Sequence, residues 1–197
     1  NYLSSYVKWL DITRPGSNHS FEYLTKFYKN HSHWPKKDSI IKKIESSINK
    51  NVESNLVVDW FKNNPPLTSK GKIDYFESLV KTGLISDKRK KIRDIWINEN
   101  LTFSQQKYFI QKYSRFWTME DNWKRFSRLL YEGKNISARR TLNRITGDYR
   151  KLGEARLGLS RRVGNVSTLI KNVPVSLKND SGVIYERMRW SRKDKLD

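Results

Sequence analysis

Residue types that commonly perform chemistry are sparse in this chain of 197 residues. It contains no Cys, and its three histidines are His19, His31 and His33. His31 and His33 could hold a metal ion only with ligands from elsewhere, and no H-E-x-x-H motif is present. His31 is better explained as a residue that caps the end of a helix, where positive charge is favourable. The sequence therefore predicts no metal site and no cofactor.

Catalytic motifs are equally hard to find. The G-x-S-x-G, G-x-x-x-x-G-K and G-x-G-x-x-G patterns are missing, and Gly153 and Gly158 lie within a helical pattern that indicates close helix packing. A glycosidase-type acid needs a desolvated carboxyl group with a raised pKa. The acidic residues here mostly lie beside Lys or Arg at helical spacing, as Glu186 does beside Arg189. We interpret these as surface ion pairs and predict no catalytic residue.

Tryptophan rings can stack on sugars or on bases, so the seven Trp residues are candidates for ligand binding. Most of them fall on apolar helical faces and are predicted to belong to the core. Trp34 and Trp117 each lie in a predicted break between helices. We expect these two to be the exceptions that bind a polymer.

The net charge of +20 predicts an anionic partner, which could be nucleic acid, lipid headgroups or an acidic wall polymer. A chain with many solvated basic helix faces and no such partner is the alternative. Between Gly133 and Asp197 there are 16 Lys and Arg residues against 6 Asp and Glu residues. Arg139, Arg140 and Arg144 lie in this basic part and complete the candidate polymer-binding residues.

The stretch from Thr118 to Gly147 predicts a helical hairpin. Thr118 and Asp121 match the N-cap pattern, and Gly133 suits a helix end because glycine adopts positive φ at little cost. A second helix is predicted to follow and to stop at Gly147. The apolar faces are predicted to comprise Trp123, Phe126, Leu129 and Leu130 in the first helix, and Ala138, Leu142 and Ile145 in the second.

The same layout occurs at an offset of 50 residues towards the N-terminus, where Thr68 and Gly83 match Thr118 and Gly133. Because an open apolar stripe must be covered by a neighbour, repeated hairpins favour an α-solenoid. We therefore predict an all-α fold, a right-handed superhelix of stacked hairpins. The matching apolar positions are Ile73, Phe76, Leu79, Val80, Ile92 and Ile95.

The rest of the chain also shows helical periodicity, giving about a dozen helices and no strand pattern. The first is predicted from Tyr2 to Thr13 with Leu3, Val7 and Leu10 on one side, and Pro35 is predicted to start the third. The break at 63–66 divides residues 1–64, the N-terminal helices, from residues 65–197, the hairpin repeats of the same domain. No apolar run is long enough to predict a membrane span.

Several short motifs together resemble one known family, the soluble lytic murein transglycosylases, in its non-catalytic superhelical domain. They occur in the family's order over nearly the whole chain. In sequence they are Pro66-Leu67-Thr68-Ser69-Lys70-Gly71, Gly83 ahead of Ile92-Arg93-Asp94-Ile95-Trp96, Arg125-x-x-Arg128-Leu129-Leu130-Tyr131-x-Gly133, Ala155-Arg156-Leu157, Val173-Pro174 and Tyr185-Glu186-Arg187-x-Arg189-Trp190.

The resemblance implies a U- or ring-shaped stack of hairpins that positions glycan strands of peptidoglycan in the periplasm. In that family a C-terminal lysozyme-like domain cleaves the strand with a single Glu and leaves a 1,6-anhydro sugar. The Glu-Ser and Gly-Leu-Met-Gln motifs of that domain are missing here, so no catalytic residue can be assigned. Ser32 also replaces a Pro that the family often has. The implied partners are peptidoglycan and the catalytic domain.

Two other functions are compatible with the same sequence. One is a basic α-solenoid that binds nucleic acid, although no residue pair recurs at a fixed repeat position as a base-reading code requires. The other is a protein-binding scaffold, which would need an exposed apolar groove. The nucleic-acid alternative rests on an arginine cluster comprising Arg139, Arg140, Arg144, Arg150, Arg156, Arg161 and Arg162.

Overall fold

The computed structural model describes residues 2–193, which form helices and connecting turns with no strand among them. No helix in this range is both long enough and apolar enough to cross a bilayer. Short 3-10 turns occupy Ser114–Phe116 and Val175–Leu177. The α-helices are α1 (Tyr2–Thr13), α2 (Phe21–His31), α3 (Lys37–Ser47), α4 (Ser54–Asn63), α5 (Ser69–Lys81), α6 (Lys88–Asn98), α7 (Phe103–Tyr113), α8 (Met119–Tyr131), α9 (Asn135–Leu142), α10 (Gly147–Arg161), α11 (Val166–Lys171) and α12 (Ser181–Lys193).

Helices α5 and α8 confirm the ends that the sequence predicts. Thr68 caps α5 by accepting a hydrogen bond from a first-turn amide, and Thr118 forms a complete capping box with Asp121 at α8. Both helices have 13 residues, and Gly83 and Gly133 follow them at φ +72° and +73°. These conformations suit glycine because a Cβ atom would be strained there.

The chain divides into two compact units that are interleaved in sequence. Unit 1 comprises the residues up to Lys91 together with Asn100–Lys107, and unit 2 comprises Ile92–Glu99 and the residues from Tyr108 onward. In unit 1, α3 packs against α1, α2 and α5, and α4 packs against α5. The core of these helices contains Ile12, Phe21, Leu24, Phe27, Tyr28, Ile40, Ile41, Ile44, Ile48, Val57, Trp60 and Phe61.

Unit 2 contains the predicted hairpin, in which α8 packs against α9 and both pack against α10. Its second helix is shorter than predicted, because α9 ends at Leu142 and Gly147 is the first residue of α10. After Leu142 the amides of Arg144 and Ile145 bond carbonyls three residues back, which tightens the chain into a turn. Ile145 is still buried, so its apolar role was predicted correctly and its helical position was not.

The first helices of the two predicted hairpins have the same length and caps but different packing partners. Helix α5 packs against α3 and α4 in unit 1, whereas α8 packs against α9 and α10 in unit 2. Most of α6, the predicted partner of α5, belongs to unit 2. The superhelical arrangement and the division at residue 64 therefore stay predictions.

One expectation for the N-terminal helices is wrong, and the apolar side predicted for α1 is not the side that the fold buries. Pro35 does not start α3, which begins at Lys37 after Lys36 in the left-handed conformation. The face of α1 that carries Leu3, Val7 and Leu10 is exposed, and α1 is held instead by the fully buried Ile12. Helical periodicity predicts that a face is apolar, but the packing of other helices decides whether that face is covered.

Gly153 in α10 is expected to be a position where alanine destabilises the fold. A Cβ atom there would collide with Leu142 Cδ1 and meet the Phe126 ring at 3.4 Å, which confirms the predicted close packing. Alanine favours a helix by roughly 1 kcal/mol, whereas overpacking costs about 1–3 kcal/mol. Chemical denaturation of Gly153→Ala should show a net loss of about 1 kcal/mol. Gly164→Ala, with nothing within 4 Å, is the control and should change stability little.

Candidate functional site

The predicted polymer-binding tryptophans lie in different surroundings. Trp34 is half-buried at the end of the unit 1 core, where its ring lies 5.4 Å from Tyr2 and 5.0 Å from His31. Trp117 is only 8% exposed and stacks on Trp96 in unit 2, with ring centroids 4.2 Å apart. Polymer binding by both residues stays a prediction, but the burial of Trp117 favours a role in the core.

The three predicted arginines lie on α9 and the turn after it. Arg139 and Arg144 are exposed, and Arg140 is half-buried with its guanidinium donating to the hydroxyl of Ser137 at 3.0 Å. The structure therefore places two exposed cations close in sequence on the surface of unit 2. Such cations can contact carboxylates or phosphates without reading a sequence of bases.

His31 takes the capping role that the sequence predicts. It is the last residue of α2, and its Nδ1 hydrogen-bonds the carbonyl of Phe27 at 2.9 Å. Its ring also stacks on the Phe27 ring, with centroids 4.4 Å apart. These contacts explain His31 without a ligand.

A groove of about 740 Å³ lies between α2 and α4 in unit 1. Its base contains the buried aromatic side chains of Phe21, Tyr28 and Trp60, with the partly exposed Leu56 beside them. Trp60 meets Tyr28 edge to face at a centroid distance of 5.3 Å, and its indole N–H has no hydrogen-bond acceptor among residues 2–193. The sequence gives no sign that these four residues border a groove.

The rim of the groove is polar and carries charges of both signs. Lys26 and Lys29 carry positive charge there and Asp59 negative charge, while the side chain of Asn64 donates to the carbonyl of Trp60. A groove with an apolar base and hydroxyl, amide and charged groups around it suits ligands that have both apolar and polar groups. The polar lining residues are Glu22, Thr25, Lys26, Lys29, Ser32, Asp59, Asn63 and Asn64.

Glu186 on α12 contradicts the prediction that it forms a surface ion pair. It is 1% exposed, neither carboxylate oxygen has a hydrogen-bond donor among the described residues, and Arg189 Nη1 lies 4.0 Å away. Burial raises the pKa of Glu186 despite the attraction of Arg189 and Arg156. The spacing to Arg189 gave no sign of this, because burial depends on how α12 packs against α10.

Arg156 is the second buried charge of this region. Its guanidinium donates to the Ser127 hydroxyl at 3.0 Å, lies 3.9 Å from Asp180 and covers the ring of Trp123 at 5.4 Å. Burial lowers the pKa of Arg156. These contacts join α8, α10 and the residue that precedes α12 within unit 2, so we assign the buried charges a structural role.

Glu186→Gln is expected to raise the free energy of unfolding at pH 7 by on the order of 1 kcal/mol. Because the pKa of Glu186 is raised, the fold binds its proton more tightly than the unfolded chain does. That contribution is complete below the unfolded pKa of about 4.3 and is lost as pH rises through the folded pKa. Denaturation of both proteins between acidic and neutral pH should show a smaller decline in Glu186→Gln. Glu154→Gln, a partly exposed carboxylate of α10, should match wild type.

No protein-family model matches the chain, and no curated protein or solved structure matches it at a significant level. The resemblance to the lytic transglycosylases therefore rests on the motifs alone.

Proposed function

We propose that this chain is the non-catalytic superhelical domain of a peptidoglycan lytic transglycosylase and acts in the periplasm. In this role it binds glycan strands and positions them for cleavage by a separate C-terminal catalytic domain. The motifs that resemble the family support the assignment, and the observation that carries it is the groove between α2 and α4.

The groove supports glycan binding through its chemistry. A pyranose ring has apolar C–H faces that pack on aromatic side chains and hydroxyls that need donors and acceptors. The groove supplies apolar surface with Leu56, which is 43% exposed above the buried rings of Tyr28 and Trp60, and it supplies hydrogen-bonding groups with the amides of Asn63 and Asn64. Its volume of about 740 Å³ lies in the range of sites that hold a small ligand or a few linked sugars.

The positive charge of the chain also supports glycan binding. Peptidoglycan stem peptides carry carboxylates, and a chain of net charge +20 attracts such a polymer over long distances. Arg139 and Arg144 are exposed and can pair with those carboxylates. Charge then concentrates the polymer at the surface, while the groove selects for sugar.

The proposal is tested by calorimetric titration with soluble glycan strands that either keep or lack their stem peptides. We expect strands with peptides to bind, and strands without peptides to bind more weakly but measurably. Leu56→Asp, which places a charge at the groove, should weaken both interactions at least tenfold. Leu67→Asp is a matched control, because Leu67 is also in unit 1 and both leucines are 43% exposed.

Three outcomes would overturn glycan binding at this groove. They are no heat of binding with either strand, equal losses in Leu56→Asp and Leu67→Asp, or tight binding of RNA with a sequence or structure preference in place of glycan. The last result would favour the nucleic-acid alternative, and salt dependence alone would not, since any phosphate polymer shows it.

We also propose that the helices belong to a right-handed superhelix. The equal length and matching caps of α5 and α8, at an offset of 50 residues, support a repeated unit. Small-angle X-ray scattering tests this arrangement. A superhelix predicts a larger radius of gyration than the roughly 16 Å expected for a compact globule of this length.

A further inference from the structure

Helix α1 carries two apolar faces, and only one of them is buried by the fold. The first face places Ile12 in the unit 1 core and holds Trp9 by a hydrogen bond of 3.0 Å from its indole N–H to the Pro35 carbonyl. The second face is largely exposed, although the Tyr2 ring lies 5.4 Å from Trp34 and the Tyr6 ring stacks on Trp9 at 5.9 Å. Its exposed fractions are 78% for Tyr2, 67% for Leu3, 43% for Tyr6, 58% for Val7 and 46% for Leu10.

The exposed residues form one continuous surface. At about 100° per residue, the five side chains cover an arc of roughly 140° beside the face that is buried. No other helix in the described part of the chain exposes more than two large hydrophobic side chains. Scattered apolar residues are normal on a protein surface, whereas a clustered patch marks a binding face. We call these five residues the α1 apolar face.

Basic groups lie at the C-terminal end of this face. Leu10 borders a recess of about 460 Å³ that is also lined by Arg14 and Lys36. The Arg14 side chain is 70% exposed, and its contact with Asp11 at 3.4 Å is a surface ion pair of small value. The recess, which Asp11 also lines, therefore places two cations and one carboxylate next to an apolar surface.

We propose that α1 binds the surface of an anionic lipid bilayer. The helix lies in the plane of the interface, the α1 apolar face enters the boundary between headgroups and acyl chains, and Arg14 and Lys36 contact lipid phosphates. An interfacial helix needs this combination of an apolar face and flanking cations. Tyr2 and Tyr6 have the amphipathic rings that are enriched at such interfaces. The net charge of +20 adds long-range attraction to an anionic leaflet.

Because the chain has no Cys, a single cysteine can report on the face directly. Val7→Cys labelled with an environment-sensitive fluorophore should shift to the blue with vesicles of equal parts phosphatidylglycerol and phosphatidylcholine. It should not shift with phosphatidylcholine alone. Val175→Cys, at an exposed valine of unit 2, is the labelled control and should stay unshifted.

Vesicle co-sedimentation measures how much the α1 apolar face contributes to binding of anionic vesicles. Leu3→Asp with Val7→Asp should lower the partition coefficient for the anionic vesicles at least tenfold. Leu84→Asp with Val175→Asp makes the same charge change at other exposed apolar residues and should lower it far less. Arg14→Gln with Lys36→Gln should weaken binding more than Lys90→Gln with Lys91→Gln. Circular dichroism confirms folding, which these exposed positions should preserve.

Several results would overturn the proposal. One is no binding to anionic vesicles, and another is equal binding to neutral vesicles. A third is an equal loss of vesicle binding in Leu3→Asp with Val7→Asp and in Leu84→Asp with Val175→Asp. A concentration-dependent dimer that is abolished by Leu3→Asp with Val7→Asp would assign the face to a second copy of the chain instead. The vesicles contain no glycan, so the outcome is independent of peptidoglycan binding.

Discussion

Replacing Trp96 with alanine is expected to lower the free energy of unfolding by about 4 kcal/mol. Trp96 is fully buried, stacks on Trp117 with centroids 4.2 Å apart, and donates its indole N–H to Asn122 Oδ1 at 3.0 Å. Arg125 Cζ also lies 4.5 Å from its ring centroid. Alanine would leave a cavity, an unpaired buried amide oxygen and a guanidinium without its aromatic neighbour. Equilibrium denaturation in urea measures the loss.

Two further variants separate these contributions. Trp96→Phe keeps most of the packing and removes the indole N–H. It should therefore lower the free energy of unfolding by roughly half as much as Trp96→Ala does. Trp190→Ala, at a half-buried ring near the end of α12, is the control and should lose less than either. A loss below about 1 kcal/mol in Trp96→Ala would show that the stacked rings do not form the core of unit 2.

Asp121→Asn is expected to cost about 3 kcal/mol, because it changes a buried carboxylate that is fully hydrogen-bonded. Asp121 Oδ2 accepts from the backbone amide of Thr118 and from Arg93 Nε, each at 2.9 Å, and Oδ1 accepts from Arg93 Nη2 at 2.8 Å. Asparagine has nearly the same shape, but its NH₂ group would face one of these donors. Thermal and urea denaturation at pH 7 measure the loss.

The same variant has a defined pH dependence. Burial alone would raise the pKa of Asp121, but the hydrogen bonds from Arg93 and Thr118 outweigh it and hold the pKa below its usual value. The stability from this group is therefore complete above the unfolded pKa of about 3.9 and is lost as pH falls through the folded pKa. Asp121→Asn should lack this acid decline. Glu120→Gln, next in sequence and well exposed, should keep the wild-type profile.

Much of the fold could be predicted from the sequence because its helix signals are local. Apolar spacing, Thr caps and helix-ending glycines gave the helical class and most boundaries, including those of α1 and α8. Gly147 was misassigned as a helix end. A positive φ like that of Gly147 is typical of the residue that follows a helix, but Gly147 is the first residue of α10. The same glycine conformation serves both purposes, so local sequence does not distinguish them.

The candidate sites were harder to predict because they depend on contacts between helices. Glu186 has the spacing of a surface ion pair and is buried by the packing of α12 on α10. Trp117 lies in an inter-helix break yet stacks in the core. Leu3 lies on the apolar side of α1 and is nevertheless exposed. The groove beside Trp60 arises where α2 and α4 approach each other. The apolar periodicity of a single helix does not predict the distances between helices.

The interleaved order of the two units limits how evolution could exchange them. Unit 2 takes Ile92–Glu99 from within sequence that otherwise belongs to unit 1. This segment supplies Trp96 and the backbone carbonyls that the guanidinium groups of Arg125 and Arg128 bind. A recombination event that joined the gene at Tyr108 would transfer α8 to α12 but leave Arg125 buried without its acceptors. The two units should therefore be inherited together, as one exchangeable block.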